Sequence, residues 1–248
     1  YNCNERNVIM ETIDKNLIEK VEIKYNIDSI KILTDFYNGI FVENFPDENE
    51  RDSLENIIKY IKVNEFNSLL SRIIIYKYNN EIIGGIIFDY FQEISSIAVE
   101  FIVTSKKYSG QGIGTFILNN IVSLLKNKYK KNIEWLFIEI EDPQKIKIDN
   151  LSYLYFWKKL HMKIIDFNYI QPALSSEKTP VEHLLLCVKN LKLDVFSISK
   201  EIVKNFIFLY AKHAILIENP LSDFSVKKMF HLIENLENNT LSLKNLNF

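Results

Sequence analysis

Apolar residues along this chain recur at helical and strand spacings in a definite order. A polar stretch over residues 1–20, expected to be poorly ordered in part, leads into Lys20–Tyr25, which reads as a short strand. Ile30, Leu33, Phe36 and Tyr37 then form a helical stripe that ends near Gly39. Pro46-Asp47-Glu48-Asn49-Glu50 has the form of a helix start, with Asp47 placed to cap and Glu50 three residues on. Leu54, Ile57, Ile58 and Ile61 supply that helix's apolar face. The pattern turns β-rich at Arg72–Tyr78 and Glu81–Phe91, with Asn79-Asn80 between them as a hairpin turn. Ser95–Thr104 is the next such run. Ile113, Phe116, Ile117, Ile121, Leu124 and Leu125 return to helical spacing. A strand at Ile133–Glu141, a helix at Asn150–Leu160, and strands at Lys163–Tyr169 and Val181–Val188 complete the series. Two further helical stripes, Ile202–His213 and Val226–Ile233, lie either side of Pro220 and are expected to pack on the core or on a second subunit. The polar tail Asn238–Phe248 is expected to be loose.

Candidate chemistry enters between the Ser95–Thr104 run and the helix after it, at Ser109-Gly110-Gln111-Gly112-Ile113-Gly114-Thr115. The chain has 6 glycines, and Gly110, Gly112 and Gly114 fall within five positions. Glycine lets backbone amides approach a ligand, and a helix starting there turns unpaired N–H groups and its positive dipole end outward. Together these make an anion site, most often for phosphate. A Walker loop would need lysine after its last glycine, whereas Thr115-Phe116 follows Gly114. A dinucleotide fingerprint would need glycine where Thr115 stands. The remaining form is the acyl-CoA loop, Arg/Gln-x-x-Gly-x-Gly/Ala after a strand. In Gln111 and Gly112-Ile113-Gly114 the chain resembles the GNAT superfamily of N-acetyltransferases. Ser109 departs from the family's usual Arg or Gln, which weakens side-chain help to the phosphates and leaves the backbone cradle intact. The plain alternative is a glycine-rich turn capping an ordinary helix.

The order of elements over roughly residues 20–190 is also that of the family, so the resemblance does not rest on one loop. Gly84-Gly85 resembles the glycine that commonly starts the family's third strand, with a mid-strand bulge as the alternative. The resemblance implies an α/β (α+β) fold: a mixed, mostly antiparallel central sheet flanked by helices. It would comprise an N-terminal polar segment over residues 1–20, a catalytic domain over 21–190 and a C-terminal helical extension over 191–248. The sheet is expected to splay between Val103 and the next strand, Ile133–Glu141.

Composition narrows the classes. The 248 residues are 47% hydrophobic and 25% charged, those of a globular protein with a sizeable core. A net charge of −2 leaves no electrostatic footprint for nucleic acid, and no apolar run is long enough for a membrane span. Cys3 and Cys187 make no disulfide framework, which points to a reducing, cytoplasmic setting. The chain begins at Tyr1, as a trimmed sequence would, and a targeting segment ahead of it stays open. No His, Cys, Asp and Glu set has metal-ligand spacing.

Acetyl-CoA is the co-substrate that the resemblance implies, held at Gly110, Gln111, Gly112, Ile113, Gly114 and Thr115. Its pantetheine arm would run along the backbone of Ile102, Val103 and Thr104, with Asn150 as a further hydrogen-bond partner and helix cap. Glu100 is the candidate base, among apolar neighbours that raise its pKa and on one strand face with Ile102 and Thr104; the alternative is a glutamate that points to solvent or pairs with a lysine. The family's Asn-x-x-Ala-x-x-Phe-Tyr is matched by Asn150 to Trp157, so indole replaces the usual tyrosine. Tyr153, one turn earlier, is the candidate acid for the thiolate, with water or Tyr155 as alternatives. The reaction implied is direct acetyl transfer to a primary amine in a ternary complex, for which an acidic rim at residues 46–50 would suit a cationic acceptor. A homodimer is among the assemblies considered. The rival reading is a non-catalytic acyl-CoA-binding or interaction module on the same fold.

Overall fold

The computed structural model describes residues 12–48, 51–64, 72–147 and 151–247. In chain order these form β1 (Glu19–Glu22), α1 (Ile27–Phe36), α2 (Val42–Asn44), α3 (Leu54–Asn64), β2 (Arg72–Tyr78), β3 (Glu81–Phe91) and β4 (Ser96–Thr104). Then follow α4 (Ile113–Asn127), β5 (Trp135–Glu141), α5 (Ser152–Lys159), β6 (Lys163–Ile165) and β7 (Leu184–Asn190). The C-terminal part adds β8 (Ser197–Ser199), α6 (Lys200–His213), α7 (Phe224–Glu234) and β9 (Thr240–Asn245). One mixed sheet runs β1-β2-β3-β4-β5-β7-β6-β9-β8, with β4–β5 its parallel pair.

Local chemistry explains where these elements begin and turn. The Asn26 side chain accepts the Ser29 N–H at 2.9 Å and caps α1. Asn79 and Asn80 both take positive φ, 49° and 64°, which turns β2 into β3. Ile83 bulges out between Tyr76↔Gly84 and Lys77↔Ile82. A side chain at Gly84 would come within 2.7 Å of the Val103 carbonyl, and one at Gly85 within 2.6 Å of the Phe36 ring. These two glycines therefore let β3 pack closely against β4 and α1.

The sheet's faces are covered separately. Ile113, Ile117, Ile121 and Leu125 of α4, with Leu154 and Trp157 of α5, pack on one face against Ile97, Val99, Leu136 and Ile138. The opposite face is shared. Leu33, Phe36, Ile57 and Ile61 cover the β1–β4 half, where Phe101 and Val103 point. Val203, Phe206, Val226 and Met229 of α6 and α7 cover the half containing Phe137 and Val188. The C-terminal helices thus pack on the core of their own chain.

Several expectations are corrected. Gly39 does not end the first helix: a wide turn at Tyr37–Phe41 carries it into α2, because Phe41 is buried against Phe36 and Phe101. The second helix starts at Leu54, not after Asp47. The Arg51 guanidinium takes the Phe45 and Pro46 carbonyls at 2.8 and 2.6 Å and holds that segment as a turn, while Ser53 accepts the Asn56 N–H. The tail is not loose over Thr240–Asn245. That stretch is β9, paired with both β6 and β8 and burying Leu241 and Leu243. Of the polar segment 1–20, residues 1–11 lie outside the described residues, whereas in 12–20 Ile13 is buried in the α4 core and Asp14 caps a single turn at Lys15–Leu17.

Candidate active site

The site begins where two parallel strands part. β4 pairs with β5 over Ser96–Val99 and Trp135–Ile138. Beyond those residues β4 remains paired to β3, while β5 remains paired to β7. One edge of β4 is therefore open from Glu100 to Thr104. The Ser105 N–H donates to the Ile83 carbonyl, so by alternation Val103 turns its backbone groups toward β3. Ile102 and Thr104 turn theirs toward the gap. An extended ligand can add to this edge as a strand would, through Ile102 and Thr104.

At the far end of the gap, α4 starts on the glycine loop. Gly112 is the N-cap residue at φ 73°, and no side chain caps the helix. The first backbone bond of α4 runs from the Phe116 N–H to the Gly112 carbonyl, so the N–H groups of Ile113, Gly114 and Thr115 have no intrahelical partner. At Gly110, φ 78°, the space a Cβ would take is empty. The residues fit an acyl-CoA pyrophosphate: bare backbone, free amides and the positive end of a 15-residue helix. Gly114 does different work. A Cβ there would sit 3.1 Å from the Phe156 ring, so this glycine sets how closely α4 meets α5.

Glu100 lies on the extra residue of a β-bulge, between Ile87↔Phe101 and Phe88↔Val99. The bulge overturns the expectation that Glu100 shares a face with Ile102 and Thr104. Ile102 packs on the α4 side, whereas Glu100 meets Tyr60 of α3 on the other. Tyr60 donates its hydroxyl proton to Asp89 and sits 3.2 Å from Glu100 Oε1. Burial pushes the Glu100 pKa well up, and the nearby charges of Asp89 and Asp52 push it further. Asp52, just ahead of α3, is itself raised to about 6 by burial, against the pull of Lys178. Beside the gap, Glu100 thus has a phenol and one carboxylate in its immediate company and feels the charge of a second.

Comparison with known proteins bears on the family and the fold. Residues 30–148 match the model of the acetyltransferase (GNAT) family. They form a GNAT acetyltransferase domain. Among solved structures, a GNAT-family protein from Bacteroides thetaiotaomicron has the same fold at a TM-score of 0.59 and 18% identity, over 81% of this chain and 99% of its own. A GNAT acetyltransferase from Elizabethkingia anophelis, solved with acetyl-CoA bound, is 18% identical over 71% of this chain and 100% of its own, at a TM-score of 0.44. None of the curated proteins matches.

Acetyl-CoA is the acyl donor that goes with the GNAT acetyltransferase family. The remaining expected residues fall as follows. Asn150 lies outside the described residues. Tyr153 donates its hydroxyl to Glu141 at the end of β5. Trp157 is buried against the α4 core, and Tyr155 is exposed. The Gln111 carboxamide turns to the N-terminal segment, accepting the Ile13 N–H at 2.9 Å. Within the acidic stretch at residues 46–50, Glu48 pairs with Arg51 at 3.1 Å, and residues 49 and 50 lie outside the described residues. Cys187 is buried on β7, where burial pushes its thiol pKa up and away from nucleophilic use. Among the described residues no group of side chains could hold a metal ion, and no helix is long and apolar enough to cross a membrane.

Sequence reasoning missed Asp52, Tyr60 and Asp89. Asp89 had left a signal, as the one acid within the apolar run Ile82–Phe91. It also missed Glu139 on β5, whose carboxylate accepts from the Tyr169 hydroxyl, from Gln171 at 2.9 Å and from Tyr210 of α6 at 2.8 Å. This network ties the C-terminal helices to the strand beside the gap.

Proposed function

We propose that the protein transfers an acetyl group from acetyl-CoA to the primary amine of a cationic acceptor, by direct attack in a ternary complex. The observation that carries this reading is Glu100: a carboxylate of raised pKa, on a bulge where β4 and β5 part, among Asp52, Asp89 and Tyr60. The acids favour an ammonium over a neutral amine. Glu100 then takes a proton from it, directly or through a water, so that the nitrogen lone pair can attack the thioester carbon. As the C–N bond forms the C–S bond breaks; the nitrogen gives up its second proton to solvent to leave an amide, and the departing thiolate takes up a proton. Tyr153 is the proposed source of that proton. Its hydroxyl is bonded to Glu141, so the role requires the hydroxyl to turn from that carboxylate. On the donor side, the open-edge backbone of Ile102 and Thr104 and the amides of Ile113, Gly114 and Thr115 orient the substrate.

Release of CoA thiol, followed with a panel of amines, tests the reading. Glu100→Gln should lower turnover roughly 100-fold at neutral pH, the scale of a lost general base, while CoA affinity stays near that of the parent. Full activity in this variant would remove Glu100 from the chemistry. Tight CoA binding with no amine-dependent thiol release would instead select the binding-module reading.

A further inference from the structure

The anion cradle of α4 has lysines near it, but those of the loop itself are committed elsewhere. Lys106 Nζ pairs with Glu43 at 2.7 Å, and Lys107 Nζ with Glu81 at 2.5 Å. Tyr108 adds its hydroxyl to the same Glu81 at 2.6 Å. Ser109 supplies no charge. Helix amides alone would leave a doubly charged pyrophosphate only partly neutralised.

A cation reaches the cradle from a different part of the chain. Ile13 inserts into the α4 core, 6% exposed, and its N–H donates to the side-chain carbonyl of Gln111 within the loop. These two contacts strap the N-terminal segment across the loop. The Asp14 side chain is occupied with Asn16, accepting its backbone N–H at 2.9 Å and its amide at 3.0 Å. Lys15 follows on the capped turn. Its ammonium lies 3.3 Å from where a Cβ at Gly112 would stand, and it has no ion pair or side-chain hydrogen bond among the described residues. A free ammonium thus stands over the bare backbone at which the uncapped helix begins.

We propose that Lys15 is the pyrophosphate-binding cation of this acetyltransferase, delivered by the N-terminal strap in place of a basic side chain in the loop. The assignment rests on the acyl-CoA loop reading given above. A consequence is that donor binding depends on the segment ahead of β1 as well as on the catalytic sheet.

Calorimetric titration of the full chain with CoA, 3′-dephospho-CoA and acetyl-pantetheine tests the assignment. Lys15 is exposed, so its replacement should leave the fold intact. Lys15→Ala should weaken CoA about fivefold at low salt, the scale of one partly screened ion pair, and Lys15→Glu should weaken it further. Lys15→Arg should restore binding. The deficit should persist with 3′-dephospho-CoA, which keeps the pyrophosphate, vanish with acetyl-pantetheine, which lacks it, and shrink as salt rises. Parent-like CoA affinity in Lys15→Glu would overturn the assignment to Lys15. So would a deficit lost with 3′-dephospho-CoA, which would place the ammonium on the 3′-phosphate. Gly112→Val tests the loop itself: a folded variant with unchanged CoA affinity would overturn the loop reading and the Lys15 assignment with it.

Discussion

Glu100 acts in company, and its neighbours make its proton affinity adjustable. Burial and the charges of Asp89 and Asp52 raise its pKa, while the Tyr60 hydroxyl lowers it. As the proposed base, Glu100 works only above its raised pKa, so the activity of the intact protein should climb as pH rises through it. Asp52→Asn removes one of the charges that hold Glu100 protonated. The rising limb of kcat/KM should then move to lower pH, by roughly half a pH unit or more for a charge at this range. A limb that stays in place would detach Asp52 from the base. The same substitution has a stability signature of known sign. The folded-state pKa of Asp52 is raised to about 6, so its contribution is fully present below the unfolded carboxylate value and lost as pH rises through 6. At neutral pH the parent therefore carries a buried charge that Asp52→Asn lacks. The gain in melting temperature from Asp52→Asn should appear near pH 7 and fade below about pH 4, the unfolded range of an aspartate.

At the scale of elements, the site depends on how β3, β4 and the loop helix are spaced. Gly84 lets β3 approach the Val103 carbonyl, and the Ile117 side chain of α4 also stands 3.0 Å from where its Cβ would be. Gly84→Ala has no flexible side chain to displace on the β4 side, since the atom met at 2.7 Å is backbone. It should destabilise the protein by about 1–3 kcal/mol, the usual cost of overpacking. Because Val103 lies between the two open-edge residues, a shift of β4 should also raise KM for acetyl-CoA. Thermal melting and initial-rate kinetics check the two effects, and a variant as stable as its parent would show that β4 yields freely. The hairpin at Asn79-Asn80 and the α4 start at Gly112 were legible in the sequence because each rests on local backbone chemistry. The bulge at Glu100 was not: one unpaired residue leaves no mark on an apolar run, yet it turns the carboxylate from the α4 face to the α3 face.

Across the whole molecule, the C-terminal part is built into the catalytic sheet. β9 lies between β6 and β8, and Leu241, Leu243 and Leu246 are buried. Removing residues 239–248 would expose two strand edges together with the apolar surface these leucines cover. Each buried leucine is worth about 1.5–3 kcal/mol, so the truncated chain should melt many degrees lower or fail to fold. A melting temperature within a few degrees of the parent would make β9 dispensable. Tyr210 of α6 reaches Glu139 on β5, so loss of the extension would also disturb the strand that borders the gap. By itself the sequence determined the alternation of helices and strands, the glycine loop that starts α4 and the presence of an acid on β4, since these depend on periodicity and on residues close together in the chain. Only the tertiary structure decided which groups surround that acid. Asp52, Tyr60 and Asp89 come from separate elements, and Lys15 reaches Gly112 across nearly a hundred residues of chain. Such contacts arise because apolar side chains such as Ile13, Ile57 and Phe101 are driven into shared cores, carrying their polar neighbours with them.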